Sequence, residues 1–408
     1  MGILTGMFTA VTGLNSYGSA MSVIGNNIAN VGTIGFKSSR ATFAELVSAS
    51  LAAGAGSDQI GLGVFMNDVQ ANFTQGSLTT TGKTFDLAID GNGFYLLNDS
   101  AGAGFYSRDG QFKVNNQGQI VNAGGFLLQG YQADANGNIT NTVDNITLTS
   151  NAVPPQITST ASIRANLDAN ATAPTGAFNV SDPTTYNFST GLPVYDSLGN
   201  AQQLRLYFVK TSTANTWNLY SQVGSAAAVA QTNLAFNASG ALTSGGSQAM
   251  SLVIPGGATT PQTVTVDFSN ITQFGSPSGV IDQVQNGFAA GTLDRISVDA
   301  QGKVVAQFTN GVTRALAQVV LNRFVNPEGL AKGGDNLFIE SIESGAPLSG
   351  AATTNGLGKV VSGAVEQSNV DLGKEFVDMI ITQRAFQANS RAITTSDEML
   401  QELVNLKR

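Results

Sequence analysis

The residues of this chain that could do chemistry are few and do not converge. Asp86 and Asp90 form a close carboxylate pair in FDLAIDG, yet they alternate with strand residues and no third acid-base group accompanies them. Thr80 with Lys83 could sketch a hydroxyl-lysine dyad, but without companion motifs an exposed turn is expected. The DANGN stretch, Asp134 to Asn138, opens like a calcium loop and lacks the glutamate that closes one at the twelfth position, so a plain turn is expected. Glycine-rich pieces such as GAGSD and GNGF have neither a P-loop lysine nor a Rossmann context. With no Cys and no His, disulfides, thiolate metal sites, Ser-His-Asp triads and His-ligated zinc are excluded. Trp217, Tyr207, Phe208 and Tyr220 could make a sugar-binding platform, but a β-domain core is the simpler expectation. No enzyme, cofactor or metal site is expected.

What remains is an architecture. The chain has 408 residues, enough for two to four domains. Only 11% of them are charged, against about 25% in an ordinary globular domain. Gly, Asn, Ser and Thr fill the deficit, a composition that suits β-structure with many turns. Net charge is -8 and no Lys/Arg cluster occurs, which argues against nucleic acid and anionic membranes as partners. No run of 18 apolar residues is present, so membrane insertion is not expected, and the start of the chain lacks the basic and continuous apolar regions of a cleavable leader.

The first 36 residues carry no charged side chain until Lys37. Within them Ile3, Met7, Ala10, Leu14, Tyr17, Met21, Ile24 and Ile28 are spaced alternately four and three apart, the seam of a helix that packs against helices. Gly6 with Gly13, and Gly18 with Gly25 and Gly32, form small-residue columns that let neighbouring backbones approach. Each interior glycine costs about 0.5 to 1 kcal/mol against alanine, so this segment should need partners to fold. At the other end Val365, Leu372, Met379, Phe386, Ile393 and Leu400 recur at intervals of seven, Ala385, Ala392, Met399 and Leu406 make an adjoining column, and Leu403 adds to the apolar surface, so a helix is expected from about 370 to 406. A coiled-coil pairing of the two termini buries both stripes. Leu4, Phe8 and Val11 widen the N-terminal apolar surface beyond one seam, which implies several neighbours and hence self-assembly.

Between the ends the period becomes strand-like from Val64. Residues 48–63 read as a mobile loop from their Ala, Gly and Ser content. An apolar-[Asp/Asn]-x-x-Gly-x-apolar pattern recurs at residues 114–120, 195–201, 236–242 and 298–304, with a looser copy at 133–139. Asp or Asn opens such a turn through a local hydrogen bond and Gly accepts positive φ, so these are expected hairpins. From about 150 to 284 the chain is richer in Ser, Thr, Ala and Asn, and the earlier strand texture then returns. The expected fold class is multidomain α+β. Its parts are a terminal helical coiled coil (1–30 and 369–408), extended connections (31–70 and 358–368), a middle β domain (71–145 and 285–357) and an inserted outer β domain (146–284), the β parts mainly antiparallel.

NNIANVGTIGFKSSRATF, DLAIDGNGFYLL, YSRDGQFKVNNQGQIVNAGGFLLQGY and the stretch from Ser368 to Leu406 resemble the bacterial flagellar rod, hook and hook-associated family, and the resemblance extends over essentially the whole chain. Asn26, Asn27, Asn30, Gly35, Phe36 and Lys37 carry its N-terminal motif. The inserted region points within the family to its hook-type member. The resemblance implies a helical homopolymer: a curved hollow tube, extracellular, acting as a universal joint between motor and filament. It implies as partners further copies of the chain, the distal rod, the hook cap, the hook-length control protein, the hook-filament junction protein and the type III export apparatus, with export lacking a cleaved signal peptide. A rod-type protein carrying an insertion and a secreted β-rich adhesin are the competing readings.

Overall fold

The computed structural model describes residues 2–46, 49–50, 59–148, 152–254 and 256–406. Much of the 48–63 loop therefore lies outside the described residues. The chain divides into two compact units, one made of residues 1–149, 296–306 and 314–408, the other of residues 150–295 and 307–313.

The first unit contains both helices, α1 (Gly2–Ala29) and α2 (Leu372–Asn405). They run antiparallel. Gly13 faces Asn389, Gly18 faces Phe386, and Asn27 Nδ2 donates to Glu375 Oε1 at 3.1 Å. α1 has no charged residue in its first or last turn, and Thr9, Thr12 and Ser22 bond back to its own carbonyls, Thr9 Oγ1 to Thr5 O at 2.9 Å. It closes on asparagine: Asn30 Nδ2 donates to Asn26 O, and Thr33 Oγ1 to Asn30 Oδ1. α2 begins with a true cap, since the Asp371 carboxylate accepts from Gly373 N and Lys374 N.

A two-stranded ribbon, β1 (Ser39–Glu45) with β2 (Val64–Ala71), leans on α1. Tyr17 and Phe43 pack with tilted rings, 5.7 Å between centroids, Ser16 Oγ donates to Val64 O, and Val64 N donates to Thr12 Oγ1. The rest of the unit is a β sheet whose neighbouring strands run Thr313–Arg323, Leu127–Ala133, Phe94–Asn98, Gly104–Ser107, Leu337–Ile339 and Ala331–Gly334, together with two antiparallel pairs, Leu78–Thr80 with Ala364–Glu366 and Leu87–Asp90 with Lys359–Ser362. Leu87, Ile89, Tyr95, Leu97, Ile120 and Leu128 lead its core.

The second unit holds two sheets. In one, Thr160–Asp168 lies between Gln262–Asp267 and Thr272–Phe274 on one side, both parallel to it, and antiparallel Gly279–Gln285 on the other. The second is an antiparallel series through Phe188–Tyr195, Ala201–Lys210, Thr216–Val223, Leu234–Phe236 and Leu242–Ser244. Alternation in Thr216–Val223 sends Trp217, Leu219 and Val223 into the core with Phe208 and Phe268. Tyr207 and Tyr220 point the other way and join Phe178 and Tyr186, Phe178 stacking on Tyr220 at 4.0 Å.

All five expected turns are present. In each the opening Asn or Asp accepts from backbone N–H groups two and four residues on, as Asn115 does from Gln117 and Gln119, and the glycine takes φ between 74° and 85°. The DANGN segment is one of them: the Asp134 carboxylate is used by Asn136 N, Asn138 N and Asn138 Nδ2.

Candidate functional site

The catalytic alternatives do not come together. Asp86 is buried, while Asp90 makes a surface pair with Lys359 at 3.1 Å. Among the described residues no group of three or more potential metal ligands occurs.

The terminal helices offer a surface instead. The most buried positions of α1 are Ala10, Gly13, Ser16, Ala20 and Asn27. Of these small residues Gly13 meets Asn389 of α2, whereas Ser16 and Asn27 bond to the ribbon, and the larger seam residues Met7, Leu14, Tyr17, Met21, Ile24 and Ile28 are each partly buried. The Ile3 side chain lies outside the described residues. On α2 the partly buried Met379, Phe386, Ile393 and Leu400 alternate with polar Thr382, Asn389 and Ser396, of which Thr382 and Ser396 are the buried residues of the helix. Leu372, Leu403 and Leu406 are exposed in the single chain, as are Ala392 and Met399 beside them. The outward face of each helix remains apolar: Phe8 is 63% exposed on α1, and Phe376, Val377, Ile380 and Ile381 are at least half exposed on α2. Between α1, α2 and the ribbon lies a groove of about 550 Å³ whose walls include Tyr17, Ile24, Phe43 and Ile381.

The N-terminal motif anchors these helices. Asn27, 1% exposed, acts as a surrogate peptide group: its Nδ2 donates to Ser39 O at 2.8 Å and its Oδ1 accepts from Ser39 N at 2.9 Å. Gly35 is buried at φ 70°, where a side chain would strike Asp109 N and Arg108 C, and its N–H donates to Glu366 O at 2.8 Å. Asn26 is exposed, whereas Asn30 and Phe36 are partly buried. Lys37 Nζ meets Glu366 Oε1 at 2.5 Å, and Arg108 Nη1 meets Glu366 Oε2 at 3.3 Å, with all three side chains at most 4% exposed. Glu366 Oε1 also accepts from Gly76 N, and Lys37 Nζ donates to Thr74 O. Burial pulls the Lys37 ammonium below its ordinary range against the opposing pull of Glu366. Nearby, burial and then the Glu340 carboxylate push the Tyr106 phenol up to about 12.

Arg108, Glu366 and Asn369 are residues that reading the sequence missed. Asn369 accepts from Ser38 N and donates to Asn72 O and Thr74 O. The available signal was Lys37 itself, the first charge after a long uncharged stretch and one that a buried position obliges to find a partner.

Comparison with known proteins decides which family uses this arrangement. The chain is 40% identical over 408 residues to the flagellar hook protein FlgE of Salmonella typhimurium, covering 98% of this chain and 99% of that one. The chain belongs to the flagellar hook protein family. Two further hook proteins, from Escherichia coli K12 and Borreliella burgdorferi, are 40% and 34% identical, with 98% and 99% of this chain covered and 99% and 100% of theirs. Family models match in sequence along the chain: flagella basal body rod protein at 7–37, flagellar hook protein FlgE/F/G D1 domain at 88–165, flagellar basal body protein FlaE D2 domain at 166–288, and flagellar basal body rod FlgEFG protein C-terminal at 361–406. The crystal structure of Helicobacter pylori flagellar hook protein FlgE2 superposes with a TM-score of 0.55 at 13% identity, covering 69% of this chain and 98% of that one, which supports the α+β hook fold. As a member of the hook protein family the chain is a structural subunit of the flagellar hook.

Proposed function

We propose that the subunit polymerises through its paired terminal helices, which act as a coiled coil, into a curved hollow tube that works as a universal joint outside the cell envelope. The observation that carries this reading is the apolar face left open on both helices after they have packed on each other, with Phe8 on one and Val377 and Ile380 on the other. Apolar surface on two sides of one helical pair is buried only by further copies. The seam residues from Met7 to Ile28 and from Met379 to Leu400 hold the pair, while Leu372, Leu403 and Leu406 are covered by neighbours. The distal rod, hook cap, length-control and junction proteins meet the tube at its ends. Export runs through the flagellar type III apparatus without removal of the N-terminal segment, since α1 is packed into the fold rather than appended to it. Electron microscopy of purified protein with and without residues 1–36 tests the reading. Loss of tubes with both β units still folded is expected; undiminished polymerisation of the truncated chain overturns it.

A further inference from the structure

A pocket of about 360 Å³ in the first unit is built from aromatic walls around arginine. Phe73, Phe94 and Phe324 pack edge to face, Phe94 lying 5.4 Å from Phe73 and 6.0 Å from Phe324 between ring centroids, and the Arg108 guanidinium sits 5.4 Å from the centre of the Phe94 ring. Arg108 is buried. It commits Nη1 to Glu366 and Nη2 to Gly91 O, whereas Nε, also buried, has no hydrogen-bond partner. Glu366 is shared with Lys37, so one carboxylate answers two cations and this wall of the pocket keeps positive charge. Arg323 and Val325 line the pocket from exposed positions, and among the described residues no carboxylate pairs with Arg323. In a chain of net charge -8, two arginines around an open aromatic hollow select an acidic group flanked by apolar surface.

The same unit presents such a group. In the tip Glu340-Ser341-Ile342-Glu343 the isoleucine is fully exposed, and so are the glutamates on either side of it. Strand register sets the tip apart from the pocket. Leu337 lies opposite Ser107 and Ser107 opposite Tyr95, so Gly93 and Arg108 fall at one end of these strands, while the chain runs on to Ile342 from the other end of Leu337–Ile339. Features at opposite ends of one sheet make a head-to-tail contact, which repeats from copy to copy instead of closing on a pair. We infer that the pocket receives the 340–343 tip of a second copy, with Ile342 among the aromatic rings and the flanking carboxylates on Arg323 and on Arg108 Nε. The contact rests on the reading of the chain as a tube subunit, and it gives neighbouring subunits a directional joint between their β sheets in addition to the contacts of their helices.

The absence of cysteine allows one to be placed at each feature, Asn92→Cys on the pocket and Ala346→Cys beside the tip, both at exposed positions. Tubes of the full-length double variant, verified by electron microscopy, are treated with a short bis-maleimide and run on a denaturing gel. A ladder of dimer, trimer and longer products is expected from the double variant, and monomer alone from each single variant. Tubes that give no ladder overturn the contact and leave the assembly reading in place. Dimers from either single variant show mutual pairing and overturn it as well. A parent chain that forms no tubes overturns the assembly reading and this contact with it. Charge reversal is the second measurement. Arg323→Glu and Glu343→Arg should each raise the protein concentration needed for tubes about tenfold at parental unfolding midpoint, and the two together should restore the parental value. Single variants that polymerise like the parent, or a double variant no better than either single one, overturn the contact.

Discussion

At the scale of single residues, charge in this molecule matters most where it is scarcest. Removing the carboxylate of Glu366 strands Lys37 and Arg108 in a dry site, and Glu366→Gln should cost about 3 to 5 kcal/mol in urea unfolding of the first unit. The pH dependence carries the same signature. Lys37 has a folded pKa below its unfolded value, so the unfolded chain binds more protons between the two values, and this residue's contribution to stability rises with pH across that window. Tyr106 works the other way: its phenol is raised to about 12, its contribution is complete below about 10, and it is lost as pH climbs from 10 towards 12. Unfolding measured from pH 8 to 12 should therefore show Tyr106→Phe with a flatter alkaline decline than the parent, while Lys37→Met loses the rising component. None of this was legible in the sequence beyond Lys37 itself, since a partner 329 positions away leaves no local mark. The asparagines of the N-terminal motif were legible only as a motif, and the use of Asn27 as a substitute peptide group for Ser39 depends on where β1 lies.

At the scale of elements, spacing predicted much and burial rearranged part of it. A seven-residue repeat and an uncharged segment were enough to place both helices, and their ends fall within a few residues of the expected limits. The axis of contact was harder to read. Large apolar side chains dominate a periodicity count, whereas the most buried positions are the small residues Ala10, Gly13, Ser16 and Ala20, which that count weights least; Gly13 meets α2 and Ser16 the ribbon. The two kinds of glycine in α1 should consequently behave differently. At Gly13 an added Cβ comes within 2.8 Å of Asn389 Oδ1, so Gly13→Leu should separate the helices and raise protease sensitivity at both ends. At Gly25 nothing lies within 4 Å, and Gly25→Ala should stabilise the helix by about 0.5 to 1 kcal/mol, read as increased helicity by circular dichroism. The ribbon has its own sensitive point. Gly63 adopts φ 114° and a side chain there collides with Thr12 Oγ1, so Gly63→Ala should detach the ribbon from α1 and expose the amide of Val64 to hydrogen exchange. The five hairpin turns were fully legible because their chemistry is local: one carboxamide or carboxylate, one glycine, and nothing distant to override them.

At the scale of the whole molecule, a chain that must bend as a tube has to separate what holds from what slides. The second unit is closed by a core of its own, and Trp217, fully buried with Nε1 donating to Gln273 Oε1, stands at its centre. Trp217→Ala should cost about 3 to 5 kcal/mol in that unit while the transition of the first unit stays in place in calorimetry. The return of the strand texture after the insertion was visible in composition; the grouping of residues 307–313 with the second unit was not, because the tip of one hairpin carries no compositional signal. On the assembly reading proposed above, neighbouring copies meet the outward faces of the helices, and residues there can be changed away from the contacts between α1 and α2. Sedimentation and electron microscopy of a Phe8→Glu/Val377→Glu/Ile380→Glu variant test this most directly. The account predicts soluble subunits with parental helicity and unfolding midpoint that form no tubes. Tubes of normal length and number from that variant would contradict it.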